Sequence, residues 1–291
     1  MRLHRLDGAC RRILRIVVSI GVGAALLPLP AGFAQAADTI DTLATAYQPV
    51  ITESIDANGF KRPGVGFTKD ILENMRTQVR AKKEPWNTYF NNMLGSATAV
   101  KNPPIKNSSA ADSTKPRFYG LDSQGAEALY TTDGLTAYTQ ALLYLVTGDE
   151  TYRATAMKII RLYEQMDPAA YKYYVDSHIH TGIPLSRMVG AAEILRATSA
   201  QTPALQWTDD DTLNFVKNHV VPTMQTFNSS DAHFMNQHLY TTIAKMSGAI
   251  FAGDRAQYIR PSSGSWSTRT PSTRGRMAPS SSCSAWSPRT T

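Results

Sequence analysis

Cysteine is nearly absent from this chain. Of its 291 residues only Cys10 and Cys283 carry a thiol, and none lies between 37 and 260. That stretch therefore holds neither a disulfide framework nor thiol chemistry. Net charge is nearly absent there too. The whole chain stands at +7, but residues 1–36 hold five Arg and one Asp, and residues 261–291 hold four Arg and no acid. Each end contributes +4, which leaves 37–260 with 21 basic and 22 acidic residues, a net of −1. A near-neutral body argues against a nucleic-acid-binding domain, whose footprint is a basic patch. The G-x-S-x-G, phosphate-loop and dinucleotide-binding motifs are missing, and strand-like alternation is scarce. What remains is 42% apolar and 18% charged residues, enough for a globular core and too apolar for global disorder.

The first 36 residues read as an export signal. Arg2, Arg5, Arg11, Arg12 and Arg15 form a basic region, and an apolar run follows from Ile16 to Leu29. Ala34-Gln35-Ala36 fits a small-x-small cleavage site, so the mature chain is expected to start at Ala37 in the periplasm or outside the cell. The run is short for a membrane span and is interrupted by Pro28 and Pro30, and no other segment is a candidate span. Arg11-Arg12 matches a twin-arginine signal only in part.

The other end is of a different kind. Residues 261–291 contain ten Ser, five Thr and four Pro, with no Leu, Ile, Val, Phe, Asp, Glu or Lys. Such a segment cannot bury a core and is expected to be a disordered tail. A shifted reading frame after Arg260 can return a well-patterned amphipathic helix, so the tail is also expected to be a frameshift product.

Between these ends, 37–260 reads as one all-α domain. Thr68 can cap a helix through Ile71, Leu72, Met75 and Val79, with Asp70 in its first turn. Pro85 opens a second, Trp86 to Leu94. Residues 98–117 are polar and form a long loop, a kind that is often functional. Ala126 to Val146 is apolar at 3 and 4 spacing and stops at Thr147-Gly148-Asp149, before a helix from Glu150 to about Met166. Asp176 to Gly182 is read as a polar interruption, with Pro184 starting the next helix. Asp209–Asp211 and Ser229–Asp231 are expected to cap two more, the last reaching about Gly253. Antiparallel helix pairs joined by short turns indicate an all-α architecture.

Five His lie in the body, and four of them fall in two clusters. The first holds His178 and His180, in Asp176-Ser177-His178-Ile179-His180-Thr181-Gly182. The second runs His233-Phe234-Met235-Asn236-Gln237-His238-Leu239-Tyr240. Both lie where a loop enters a predicted helix, where free N–H groups and the positive end of the dipole suit an anionic ligand. At about 100° per residue, Met235, Leu239, Ile243, Met246 and Ile250 share an arc and are expected to be buried. His233, Asn236, Gln237 and Tyr240 group beside that arc, and His238 projects elsewhere unless the helix starts later. His178-x-His180 has no acidic or Cys partner at a recognised metal spacing, so no metal is expected.

Several segments together resemble the alginate-lyase-like group of polysaccharide lyases, from about Arg62 to Arg260. They are Arg62-Pro63-Gly64-Val65-Gly66-Phe67-Thr68, Glu84-Pro85-Trp86, the hairpin from Tyr138-Thr139-Gln140-Ala141-Leu142 to Thr147-Gly148-Asp149, Asn236-Gln237-His238-Leu239-Tyr240, and Phe251-Ala252-Gly253-Asp254-Arg255. The resemblance implies an α/α toroid and β-elimination at a uronic acid, with an acidic polysaccharide or oligouronate as substrate and no cofactor. It implies that Asn236 and either Gln237 or His238 neutralise the substrate carboxylate, while Tyr240, His178 or His180 move protons. Gln237, His233 and Arg187 are the expected substrate contacts. In the classical alginate lyases Asn is followed directly by His; here Gln237 intervenes. Those enzymes also carry a catalytic Tyr and substrate contacts on later helices, so the resemblance implies an incomplete, truncated toroid.

Other readings stay open. An α/α-toroid glycoside hydrolase would draw a carboxylate pair from Asp122, Asp133 and Asp176. A glycan-binding protein of the same fold would need no catalytic group, and a plain helical domain would have no glycan role at all. Resequencing the DNA around codon 260 is expected to restore a frame that continues into further helices. An intact frame with no homologous coding region downstream contradicts the frameshift.

Overall fold

The computed structural model describes residues 46–173, 176–227 and 236–264, except the side chains of Asn236 and 260–264. Residues 1–36, expected to be an export signal, and residues 265–291 of the tail lie outside this set, whereas Pro261–Gly264 continue a helix. The fold is all-α. Its helices are α1 (Lys69–Arg80), α2 (Trp86–Leu94), α3 (Gln124–Thr147), α4 (Glu150–Tyr163), α5 (Ser177–Ala197), α6 (Asp209–Phe215), α7 (Val221–Thr226), α8 (Asn236–Ala252) and α9 (Arg255–Gly264). A π-helical turn, Val216–Val220, joins α6 to α7. Before α1, β1 (Ser54–Ile55) pairs antiparallel with β2 (Lys61–Arg62).

Helices α3 and α5 form the centre. Tyr130, Ala137, Ala141, Leu143, Tyr144 and Leu145 of α3 are all fully buried, as are Leu185, Met188, Val189, Ala192 and Leu195 of α5. A helix apolar on most of its circumference must be covered on most sides, and both are. The expected α3–α4 hairpin is present. Gly148 ends α3 at φ 73, the left-handed conformation that favours glycine, and its N–H reaches the Tyr144 carbonyl. Thr68 caps α1 as expected, its hydroxyl accepting from the Ile71 N–H at 3.4 Å.

The helix direction is set by matching contacts. Along α3 and α5, Glu127 meets His180, Gly134 meets Pro184 and Tyr138 meets Gly190. Along α5 and α8, Gly182 meets Tyr240 and the Arg196 guanidinium lies 4.0 Å from the Phe251 ring centre. So α3, α5 and α8 run parallel, side by side. Behind them, α4 is tied to α6 by Arg161 and Asp211 at 2.7 Å, and Met224 of α7 packs on Gly248 of α8.

Two expectations about helix boundaries are corrected. Residues 177–182 are not an interruption: α5 already starts at Ser177, and Pro184 lies inside it. Proline lacks the N–H that would bond the carbonyl four residues back. Here the Thr131 hydroxyl of α3 donates to the freed His180 carbonyl at 3.3 Å. The cap of α6 is Thr208 rather than the aspartates. Its hydroxyl accepts from the Asp211 N–H at 3.1 Å, and the Asp211 carboxylate accepts from the Thr208 N–H at 2.8 Å.

The arc expected to be buried on α8 is largely open. Leu239 is 53% and Ile243 45% exposed, while Thr241, Ala244, Ala249 and Phe251 are buried. Small residues bring α8 close to its neighbours, Phe251 and Ile250 pack on the core, and Leu239 and Ile243 stay exposed. Part of the helix layer is covered by the chain at 62–67. The Glu193 carboxylate accepts from the Gly64 N–H at 2.8 Å and pairs with Arg196, and Arg62 pairs with Asp56 at 2.6 Å. These contacts account structurally for the Arg62–Thr68 motif. A cavity of about 240 Å³ lies beside this network, at the C-terminal end of α5.

Two further polar groups tie the layers together. Asp133 of α3 accepts from the backbone N–H of Lys106 at 2.7 Å and of Asn107 at 2.9 Å, and from the Tyr163 hydroxyl at 3.1 Å. It anchors the 98–117 loop, and burial pushes its pKa up to about 6. His219, in the π turn, is fully buried between the hydroxyls of Tyr171 at Nδ1 and Tyr130 at Nε2, both at 2.8 Å. Burial disfavours its charged form and lowers its pKa from 6.5 to about 3. The unfolded chain therefore binds a proton there that the folded chain refuses. The stability this gives is fully present above the unfolded value and is lost as pH falls from 6.5 toward about 3. Asp133 acts oppositely between its ordinary 3.8 and about 6, where the folded state holds the extra proton. The His219→Gln variant is expected to lower the slope of urea-unfolding stability against pH between about 3 and 6.5, by up to about 1.4 kcal/mol per pH unit. A slope equal to the wild type contradicts this account of His219.

Candidate functional site

Because α3, α5 and α8 are parallel, their N-terminal ends share one end of the helix layer. Three positive dipole ends converge there, a setting that favours bound negative charge. His178 and His180 of the first cluster, and Gln237, His238 and Tyr240 of the second, stand at that same end. A Cβ added to Gly182 would lie 2.9 Å from the Tyr240 carbonyl oxygen, so the first turns of α5 and α8 touch directly.

Within the first cluster the two His differ sharply. His178 is fully buried, with its Nδ1 3.3 Å from the Tyr173 hydroxyl and its ring stacked on Tyr173 at 6.1 Å. His180 points to the open side with its side chain 48% exposed, and its Nδ1 lies 3.7 Å from the Glu127 carboxylate. Glu127 sits in the first turn of α3 and is fully buried. It was missed in the sequence, where it reads as one acid at the head of an apolar run. An acid in a segment otherwise fated for burial is the signal that could have marked it.

Arg187 lies seven residues after His180, hence on the same face of α5, about 10 Å further along. It is half-buried and close enough to Tyr138 of α3 to oppose the upward shift that burial gives that phenol. His180, Arg187 and Tyr138 thus line one seam between α3 and α5. In the second cluster, Gln237, His238 and Tyr240 are half-buried on the first turns of α8. Tyr240 is on the α5 side, whereas His238, two residues earlier, sits about 160° around the helix from it. His233 and the Asn236 side chain lie outside the described residues.

Of the carboxylates considered for a hydrolase, Asp122 and Asp176 are exposed, and Asp133 is buried and engaged by three donors. Among the described residues, no group of three or more His, Cys, Asp or Glu is placed to hold a metal ion. Among the same residues, no helix is long and apolar enough to cross a membrane. Searches against protein-family models and against curated proteins find no match to this chain.

The contact at Gly182 is what joins the two clusters. Gly182→Ala is expected to push α8 away from α5 and lower stability by about 1–3 kcal/mol in urea unfolding. A variant as stable as the wild type contradicts the contact.

Proposed function

We propose that this chain is a lyase that cleaves a uronic-acid polysaccharide by β-elimination. The observation that carries the reading is the contact of Gly182 with Tyr240, which sets the exposed His180 and Tyr240 at the shared N-terminal end of α3, α5 and α8. Three parallel helices, each followed by returning helices, are also the repeat from which an α/α toroid is built. We take the layer as an arc of such a toroid, with its open side as the substrate cleft. An export signal at 1–36 would place the enzyme where extracellular polysaccharide is found.

The chemistry follows from the residue types. The uronate C5 proton is weakly acidic until its carboxylate is neutralised. Helix N-termini, Asn236 and Gln237 or His238 supply donors for that carboxylate as charge builds on it. His180 is the exposed imidazole of the first cluster and is assigned as the base, ahead of the buried His178. Tyr240 then protonates the leaving oxygen. Arg187 extends the seam as a contact for a neighbouring uronate. The electron pair of the C5–H bond becomes the C4–C5 double bond, and the C4–O pair leaves with the oxygen. Every step is proton transfer or hydrogen bonding by side chains and backbone N–H groups of this chain.

Alginate, glucuronan and glycosaminoglycans are the substrates to test. At least one is expected to gain the ultraviolet absorbance of an unsaturated uronate, with His180→Ala slower by about 10²–10⁴-fold. No absorbance with any of them contradicts the lyase reading. Oligouronate binding without turnover points instead to a glycan-binding protein.

A further inference from the structure

Glu127 has no role in the chemistry above, yet its position is unusual. It is a fully buried carboxylate at the very end of the helix layer where the His clusters meet. Burying a carboxylate is unfavourable unless its charge or hydrogen-bonding capacity is met nearby. Across the α3–α5 seam stands His180, whose Nδ1 lies 3.7 Å from Oε2. The backbones that carry the two side chains are tied together over the next two turns. One turn along α3, the Thr131 hydroxyl bonds both the Glu127 carbonyl at 2.9 Å and the His180 carbonyl at 3.3 Å. One turn further, a Cβ on Gly134 would lie 3.0 Å from the Pro184 carbonyl oxygen. The backbones that carry Glu127 and His180 are therefore locked in register, and the pair is a consequence of that register.

We propose that Glu127 is the positioning residue of the site: its carboxylate, 3.7 Å from Nδ1 of His180, favours the proton on that nitrogen by its negative charge and so leaves Nε2 as the free, basic nitrogen. A partner beside one nitrogen of a neutral imidazole chooses its tautomer. With the proton on Nδ1, the Nε2 lone pair lies on the far side of the ring from the buried seam, on the half-exposed side of His180. In the elimination, the C5 proton passes to Nε2, and the imidazolium that forms stands beside the Glu127 carboxylate. The C–H electron pair becomes the C4–C5 double bond while the C4–O pair departs on the oxygen, so no oxidant or co-reactant is needed. The catalytic consequence rests on the lyase reading; the pairing itself does not.

The test separates the two. Long-range proton–nitrogen correlation NMR on the full chain, with the His180 signals assigned by a His180→Gln variant, reports the tautomer of the neutral ring. The Nδ1–H form is expected in the wild type, and the Nε2–H form that free side chains favour is expected in Glu127→Gln. An Nε2–H ring in the wild type overturns the proposal, and that measurement stands even if Glu127→Gln fails to fold. The same tautomer in wild type and a folded Glu127→Gln overturns it as well. Turnover is the second readout: kcat for uronate cleavage is expected to fall about 10–100-fold in Glu127→Gln, with KM little changed. An Nδ1–H wild-type ring in a chain that cleaves no polyuronate upholds the pairing and refutes the lyase reading.

Discussion

The close approach of α5 to both of its neighbours constrains everything else in this molecule. Gly134 of α3 leaves room for the Pro184 backbone, and Gly182 of α5 leaves room for the Tyr240 backbone. With the contacts at Glu127–His180 and Arg196–Phe251, they hold the three helices parallel. Once that is set, the dipoles of α3, α5 and α8 point the same way. Like-oriented dipoles side by side repel weakly, so the arrangement must be held by packing and by polar ties. The buried faces of α3 and α5 supply the packing.

The ties lie at three levels along the layer. At the N-terminal end, Thr131 joins α3 to α5 through the His180 carbonyl. Close by, His219 joins Tyr130 to Tyr171, and further along Asp133 gathers the 98–117 loop and Tyr163. At the C-terminal end, the buried Arg153 donates to the carbonyls of Leu195 at 2.9 Å and Leu205 at 2.7 Å, capping α5. The Glu193–Arg196 pair and Arg62 close the same end from the other side. These groups use most of their hydrogen-bonding capacity in holding the fold. The N-terminal end differs, since His180, Arg187 and Tyr240 remain partly open there.

Local signals in the sequence proved sufficient for much of the fold. The Thr68 cap, the Gly148 stop and the spacing of apolar residues marked helices that the structure contains. Apart from the Thr208 cap, a local misreading, the failures are long-range. Pro184 inside a helix looked like a start because its repair, the Thr131 hydroxyl, is 49 positions away from the carbonyl it serves. The arc through Leu239 and Ile243 looked like a core face, but small residues of α8 make the close contacts. Both His clusters could be read as helix starts; that they touch depends on Gly182 meeting Tyr240, which no local pattern encodes. Glu127 stayed unseen for the same reason, since its partner belongs to another helix.

The central claim is that this end of the helix layer breaks a uronate chain by elimination. The most direct measurement is the mass balance of one cleavage event on a defined oligouronate. Elimination adds no water, so the masses of the two fragments are predicted to sum to that of the parent. Fragments that together exceed the parent by one water would show hydrolysis and contradict the account.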